Sequence, residues 1–185
     1  GDVNEAYTIS MVEGLKAAGI TPDATLAAAY ATYLEAERKK APPRQAFMPV
    51  PPLAERPAAS AELAAAAGTA DLAIVTIGRN SGEFADRKRE GDFDLLPVEQ
   101  ALIADVTKAF HAKQKKVLVV LNIGGVIETA TWRDIPDAVL LAWQPGQESG
   151  HAIADVVTGK VNPSGKLATT FPIRWEDVPS SANFP

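Results

Sequence analysis

The 185-residue chain contains no cysteine, which excludes a disulfide framework and any thiolate metal site. That absence fits a reducing cytosol and an oxidising compartment alike. Histidine is scarce: His111 and His151 stand alone and far apart, with no metal-ligand spacing between them. No apolar run approaches the ~20 residues of a membrane span. The polar opening, Gly1-Asp2-Val3-Asn4-Glu5, carries no signal-peptide pattern. Neither sign of charge dominates, with 18 Lys and Arg against 23 Asp and Glu. The basic clusters, Arg38-Lys39-Lys40, Arg87-Lys88-Arg89 and Lys113 to Lys116, are short and diluted by acids. A nucleic-acid surface needs more concentrated basic charge than this. The sequence also lacks a phosphate loop, an acidic metal cluster and a catalytic triad, so no cofactor and no metal are expected.

What remains is the composition of an ordinary globular protein, 46% hydrophobic and 22% charged, long enough for one domain with a sizeable core. Met11, Val12, Leu15 and Ala18 fit an apolar helical stripe that Gly19 ends. Thr21-Pro22-Asp23 opens a second helix, Ala24 to about Lys40, with basic residues in its last turn. Six prolines between Ala41 and Pro57 (42, 43, 49, 51, 52, 57) disfavour regular structure there. This reads as a surface excursion; Phe47, Met48, Val50 and Leu53 suggest that it packs on the body. It either shapes the entrance to a cleft or simply packs. Ser60 is expected to cap a short helix, Ala61 to Ala67, closed by Gly68.

From residue 72 onward strands and helices alternate. Strand 72–77 precedes helix 97–112, and strand 117–121 follows, introduced by Lys115-Lys116. Asn122-Ile123-Gly124-Gly125 turns into a short segment, Val126 to Trp132. A third strand spans Ala138 to Trp143, a helix Gln147 to Thr158, and Leu167 to Phe171 forms an expected edge strand. Alternation of this kind predicts an α/β fold, a mostly parallel sheet flanked by helices on both faces.

The C-terminal ends of such strands face the crevice where open α/β sheets bind ligands. A long polar loop, Gly78 to Asp92, leaves the first strand there and carries Glu83. Gly82 frees the backbone before Glu83, and Ser81 and Asn80 can hydrogen-bond locally, so the loop can present a carboxylate to a cleft. The plain alternative is a solvated loop glutamate. Asp86 and Arg87 read as a local ion pair that shapes the loop, or else as substrate contacts; Arg89, Glu90 and Asp92 read as solvent-facing. Trp143 ends the third strand beside the same crevice and is either core or a sugar platform. His111 suits a helix C-terminus, and His151 lies inside the helix 147–158. The glycine spacing of Asn122 to Gly125 is wrong for a dinucleotide turn and fits a tight connection instead. Ser149 misses the nucleophile-elbow spacing.

Several stretches share a pattern with one family. They are Ser81-Gly82-Glu83 with Asp86-Arg87, the strand Lys115 to Leu121 with Asn122-Ile123-Gly124, and Trp143-Gln144-Pro145-Gly146-Gln147-Glu148. Ala154-Asp155-Val156-Val157-Thr158-Gly159 and Asn162-Pro163-Ser164-Gly165-Lys166-Leu167-Ala168-Thr169-Thr170-Phe171-Pro172 complete the series. On these residues the chain resembles the C-terminal α/β sandwich domain of family 3 glycoside hydrolases, the β-glucosidase family. The first 70 residues match more loosely, through Gly1-Asp2-Val3, Tyr7-Thr8-Ile9-Ser10 and the helix that follows.

The resemblance implies a retaining enzyme that hydrolyses terminal β-linked glucose from aryl glucosides or short oligosaccharides. In such enzymes an aspartate on a preceding (β/α)8 barrel attacks the anomeric carbon, and a glutamate of the second domain acts as acid, then base. Carried over by the motif, that glutamate is Glu83. A retaining mechanism needs two carboxyl groups about 5–5.5 Å apart, one of them protonated. A cleft closed between domains would hold the acid's pKa up by desolvation. The resemblance also implies that residues 1–185 are one sandwich domain of a longer enzyme. The family's first strand and barrel would then precede Gly1, and the isolated chain would be inactive. A non-catalytic sugar-binding or structural domain of the same fold is the rival reading; the Asp86-Arg87 cluster beside Glu83 speaks for the enzyme.

Overall fold

Two runs of β-branched and aliphatic residues build the centre of the protein. In the computed structural model, which describes residues 6–42, 52–80 and 86–183, they form β1 (Leu72–Gly78) and β2 (Lys116–Asn122). The two pair in parallel from Leu72↔Lys116 to Gly78↔Asn122, and β3 (Ala138–Leu141) joins β2 in parallel on the other side. Among the described residues the sheet therefore has the order β1-β2-β3. Alternate residues Ala73, Val75 and Ile77 of β1, with Val117, Val119 and Leu121 of β2, are buried. They form one core with Leu102, Ile103, Val106 and Phe110 of a covering helix. The expected α/β architecture is borne out.

Three of the helices begin where a side chain partners a free N–H group at the helix start. Helix α1 (Met11–Ala17) starts on a capping box: Ser10 Oγ accepts from Glu13 N while Ser10 N donates to the Glu13 carboxylate. Asp23 caps α2 (Ala24–Lys40) by accepting from Leu26 N at 2.8 Å, and Arg38, Lys39 and Lys40 occupy its last turn. Helix α3 (Ser60–Thr69) has no side-chain cap; Ser60 is its first residue, not its cap, and Gly68 lies within it. Helix α4 (Pro97–His111) opens on Pro97, and the Glu99 carboxylate reaches back to Leu96 N at 2.8 Å. Helix α5 (Ser149–Val157) is shorter than the expected 147–158.

Helices α3 and α4 cover one face of the sheet, through Leu63, Ala66 and Ala67 of α3 and the inner stripe of α4. On the other face α1 and α5 pack tightly on each other, and Met11 of α1 reaches Thr76 of β1. Helix α2 buries no residue. It holds the C-terminal end of the proline-rich excursion instead: Tyr33 Oη donates to Ala54 O and Tyr30 Oη to Glu55, both at 3.0 Å. Phe47, Met48 and Val50 lie outside the described residues.

One expectation fails. Residues 167–171 form no strand, and residues 161–170 are exposed throughout. Asn162-Pro163 and Gly165 break the chain before residue 167, and among the described residues the segment pairs with no strand. Only Phe171 turns inward, against Trp143 with ring centroids 6.1 Å apart. The short segment Val126 to Trp132 is irregular chain that ends in a turn.

Candidate functional site

Because β1 and β2 run parallel and in register, their C-terminal ends finish side by side, and the chain leaves them into one crevice. Arg79 N donates to Asn122 O at 3.0 Å and Ala142 N to Leu121 O at 2.9 Å, so the ladder extends to the mouth of the crevice. Three segments leave the strand ends there: the start of the loop after β1, the turn Asn122 to Gly125, and Ala142 to Gln144.

The polar loop is tied down at both ends. At its start, Arg79 forms two parallel 2.7 Å bonds to the Glu99 carboxylate, with side-chain exposures of 9% and 10%. Arg79 Nη1 also donates to Gly78 O and Nε to Asp92 O, at 2.7 and 3.0 Å. At the other end, Arg87 grips the Asp92 carboxylate through Nε (3.1 Å to each oxygen) and Nη2 (2.6 Å). Arg87 Nη1 crosses to Val126 O at 2.5 Å. Gly125 makes room for that crossing: a Cβ there would stand 2.7 Å from Arg87 Nη1. The chain then folds into a compact turn, with Phe93 N donating to Lys88 O and Asp94 N to Arg89 O. Phe93 is buried, edge-on to Trp175.

Most residues singled out from the sequence have a definite place; Ser81, Gly82 and Glu83 lie outside the described residues. Asp86 is exposed and does not pair with Arg87, because Asp92 holds that guanidinium instead. Asp92 is thus half-buried and bonded, not solvent-facing, and Arg89 spans from Asp94 to Glu176. Trp143 is partly buried against the core and adopts φ +54°. That left-handed conformation is unfavourable for a bulky side chain, by about 1–3 kcal/mol, and survives only where the surroundings impose it. Beside it the Gln144 amide lies over Gly124, where a Cβ would stand 3.0 Å from it. Arg79, Glu99, Asp92 and Gly125 escape a sequence reading; the only trace of them is a glycine pair following a strand. His111 meets Asp137 at the opposite end of β2, and His151 meets Glu148 on the surface. Among the described residues no group of three metal-ligating side chains gathers.

A parallel sheet with a clamped polar loop at its strand ends defines an α/β sandwich, a fold class that binds ligands beside those ends. The family described as "Glycosyl hydrolase family 3 C-terminal domain" matches residues 1–185, and the chain belongs to it. The β-glucosidase 3B of Thermotoga neapolitana, solved in complex with alpha-D-glucose, superposes with a TM-score of 0.92 at 45% identity. The match covers 100% of this chain and 26% of that one. Beta-glucosidase A of Butyrivibrio fibrisolvens is 43% identical over 66% of this chain and 17% of its own length. An exo-alpha-(1->6)-L-arabinopyranosidase of Bifidobacterium longum is 34% identical over 70% of this chain and 16% of its own length. The chain thus spans about a quarter or less of the proteins it matches.

Proposed function

We propose that this chain is the second domain of a retaining β-glucosidase and supplies its general acid/base, Glu83. The observation that carries the reading is the whole-chain match to the family together with the fold shared with a glucose-bound β-glucosidase. The loop that carries Glu83 leaves β1 at the crevice, where a catalytic group is useful. A barrel domain elsewhere in the polypeptide contributes an aspartate nucleophile. As the aspartate attacks the anomeric carbon, Glu83 gives its proton to the glycosidic oxygen, and the C–O bond breaks to leave a glycosyl ester. Glu83, now a carboxylate, takes a proton from water as the water hydrolyses that ester. The substrate is a terminal β-D-glucosyl residue of an aryl glucoside or short β-linked oligosaccharide. Arg87 shapes the loop, Trp143 walls the crevice, and Asp86, exposed, is free to contact substrate.

Separation of the two carboxyl groups onto two domains leaves the isolated chain without a nucleophile, so it turns over no substrate. In the complete enzyme, Glu83→Ala tests the assignment. Poor leaving groups, which need protonation, should lose about 10²–10⁴-fold in rate, the range of general acid catalysis. Good leaving groups should lose far less in kcat/KM. An equal loss for both would place the acid elsewhere.

A further inference from the structure

The bonds that close the polar loop converge on one residue. The Asp92 backbone carbonyl accepts from Arg79 Nε at 3.0 Å, and its carboxylate accepts from Arg87 at 2.6 and 3.1 Å. Its Oδ2 also faces Lys88 N at 3.3 Å. Arg79 precedes and Arg87 follows the segment 80–86 in the chain. Each arginine is fixed a second time to a rigid element: Arg79 to Glu99 in the first turn of α4, Arg87 to Val126 O beyond β2. Asp92 therefore links both ends of the segment 80–86 to each other and to the sheet. Glu83 sits midway in that segment, four residues from either arginine.

We infer that Asp92 is a positioning residue for the acid/base: it joins Arg79 to Arg87 and so sets where the segment carrying Glu83 begins and ends. The inference rests on the assignment of Glu83 above. An acid must lie within hydrogen-bond reach of the glycosidic oxygen at the transition state, and a misplacement of about 1 Å can cost on the order of 10²-fold in rate. Several charge-assisted bonds hold the two residues that flank the segment, Arg79 and Arg87. The geometry of those bonds is also directional, since a guanidinium fork fits a carboxylate in one plane. Lysine at position 87 could not hold Asp92 and Val126 O in the same way.

The test is made in the complete enzyme with aryl β-glucosides of graded leaving-group acidity. Asp92→Asn keeps the shape of the side chain and the backbone carbonyl but loses the charge that pairs with Arg87. The expected result is a steeper dependence of kcat on leaving group, with poor leaving groups slowed about 10- to 100-fold, KM little changed and the melting temperature lowered by only a few degrees. Arg87→Lys should act in the same direction and carries the test if Asp92→Asn gives little folded protein. Arg89→Gln, whose partners Asp94 and Glu176 lie outside the clamp, should leave the dependence unaltered. If Glu83→Ala steepens the dependence while Asp92→Asn and Arg87→Lys leave it flat, the positioning role is overturned and the acid/base assignment stands. If Glu83→Ala itself is flat, the assignment fails and the positioning role falls with it.

Discussion

Replacing Glu99 with alanine should be among the most destabilising single changes in this domain. The substitution strands the Arg79 guanidinium, 9% exposed, beneath the start of the loop with only two backbone carbonyls as acceptors. It also removes the carboxylate that satisfies Leu96 N at the head of α4. Breaking one partner of a buried pair costs about 3–5 kcal/mol, because an uncompensated charge stays behind. Against a typical domain stability of about 5–15 kcal/mol, that is a large share. The same physics predicts strong non-additivity. Removing both partners, as Arg79→Met with Glu99→Leu, leaves no buried charge and should cost much less than the two single changes summed. Urea unfolding followed by tryptophan fluorescence is a suitable assay, since Trp132 is 2% exposed in the folded state. A single-mutant loss below about 1 kcal/mol, or simple additivity in the double mutant, would show that the pair behaves as a screened surface pair and refute the reasoning.

Two further outcomes follow from other parts of the fold. Asp137 accepts from Lys116 Nζ, His111 Nε2 and Val117 N, and these bonds hold its carboxyl well below the usual carboxylate range. A depressed folded-state pKa contributes stability above the unfolded value, near 3.9, and that contribution is lost as pH falls further. Asp137→Asn should therefore lower the melting temperature at pH 7, with the gap from wild type closing below about pH 4; a gap independent of pH would contradict this. At the α1–α5 contact, a Cβ on Gly150 would stand 2.1 Å from Ser10 O, and one on Gly14 2.0 Å from Gly150 O. Either alanine substitution meets backbone, which cannot rotate away, and should cost about 3 kcal/mol or more while loosening amide protection in residues 9–17. Unchanged hydrogen exchange there would mean that the two helices can separate freely.

The elements most legible in the sequence are those whose signals are local. Asp23 and the basic run Arg38 to Lys40 bracket α2 at the bounds the structure shows, and the aliphatic runs of β1 and β2 announce a buried parallel pair. The failures occur where tertiary contacts decide. Residues 167–171 read as an edge strand yet pair with no strand among the described residues. Asp92 resembles any exposed loop acid until folding brings Arg79 and Arg87 to its two sides. Arg79 and Glu99 stand 20 residues apart, beyond the reach of any local pattern. The two glycines after β2 look like a tight turn, whereas the space they leave is filled by Arg87 and Gln144. Glu83 is marked in the sequence by its neighbours Ser81, Gly82, Asp86 and Arg87 and the family pattern they share. Its chemistry alone is compatible with an ordinary solvated carboxylate.

The most direct test of the central claim is the product that the Glu83→Ala enzyme forms from an activated aryl β-glucoside in the presence of azide. If Glu83 is the acid/base of a retaining mechanism, the glycosyl-enzyme still forms and azide attacks it from the face that water would have used. The account predicts restored turnover and a β-glucosyl azide. An α-glucosyl azide would identify Glu83 as the nucleophile, and no response to azide in a fully active variant would remove it from the chemistry altogether.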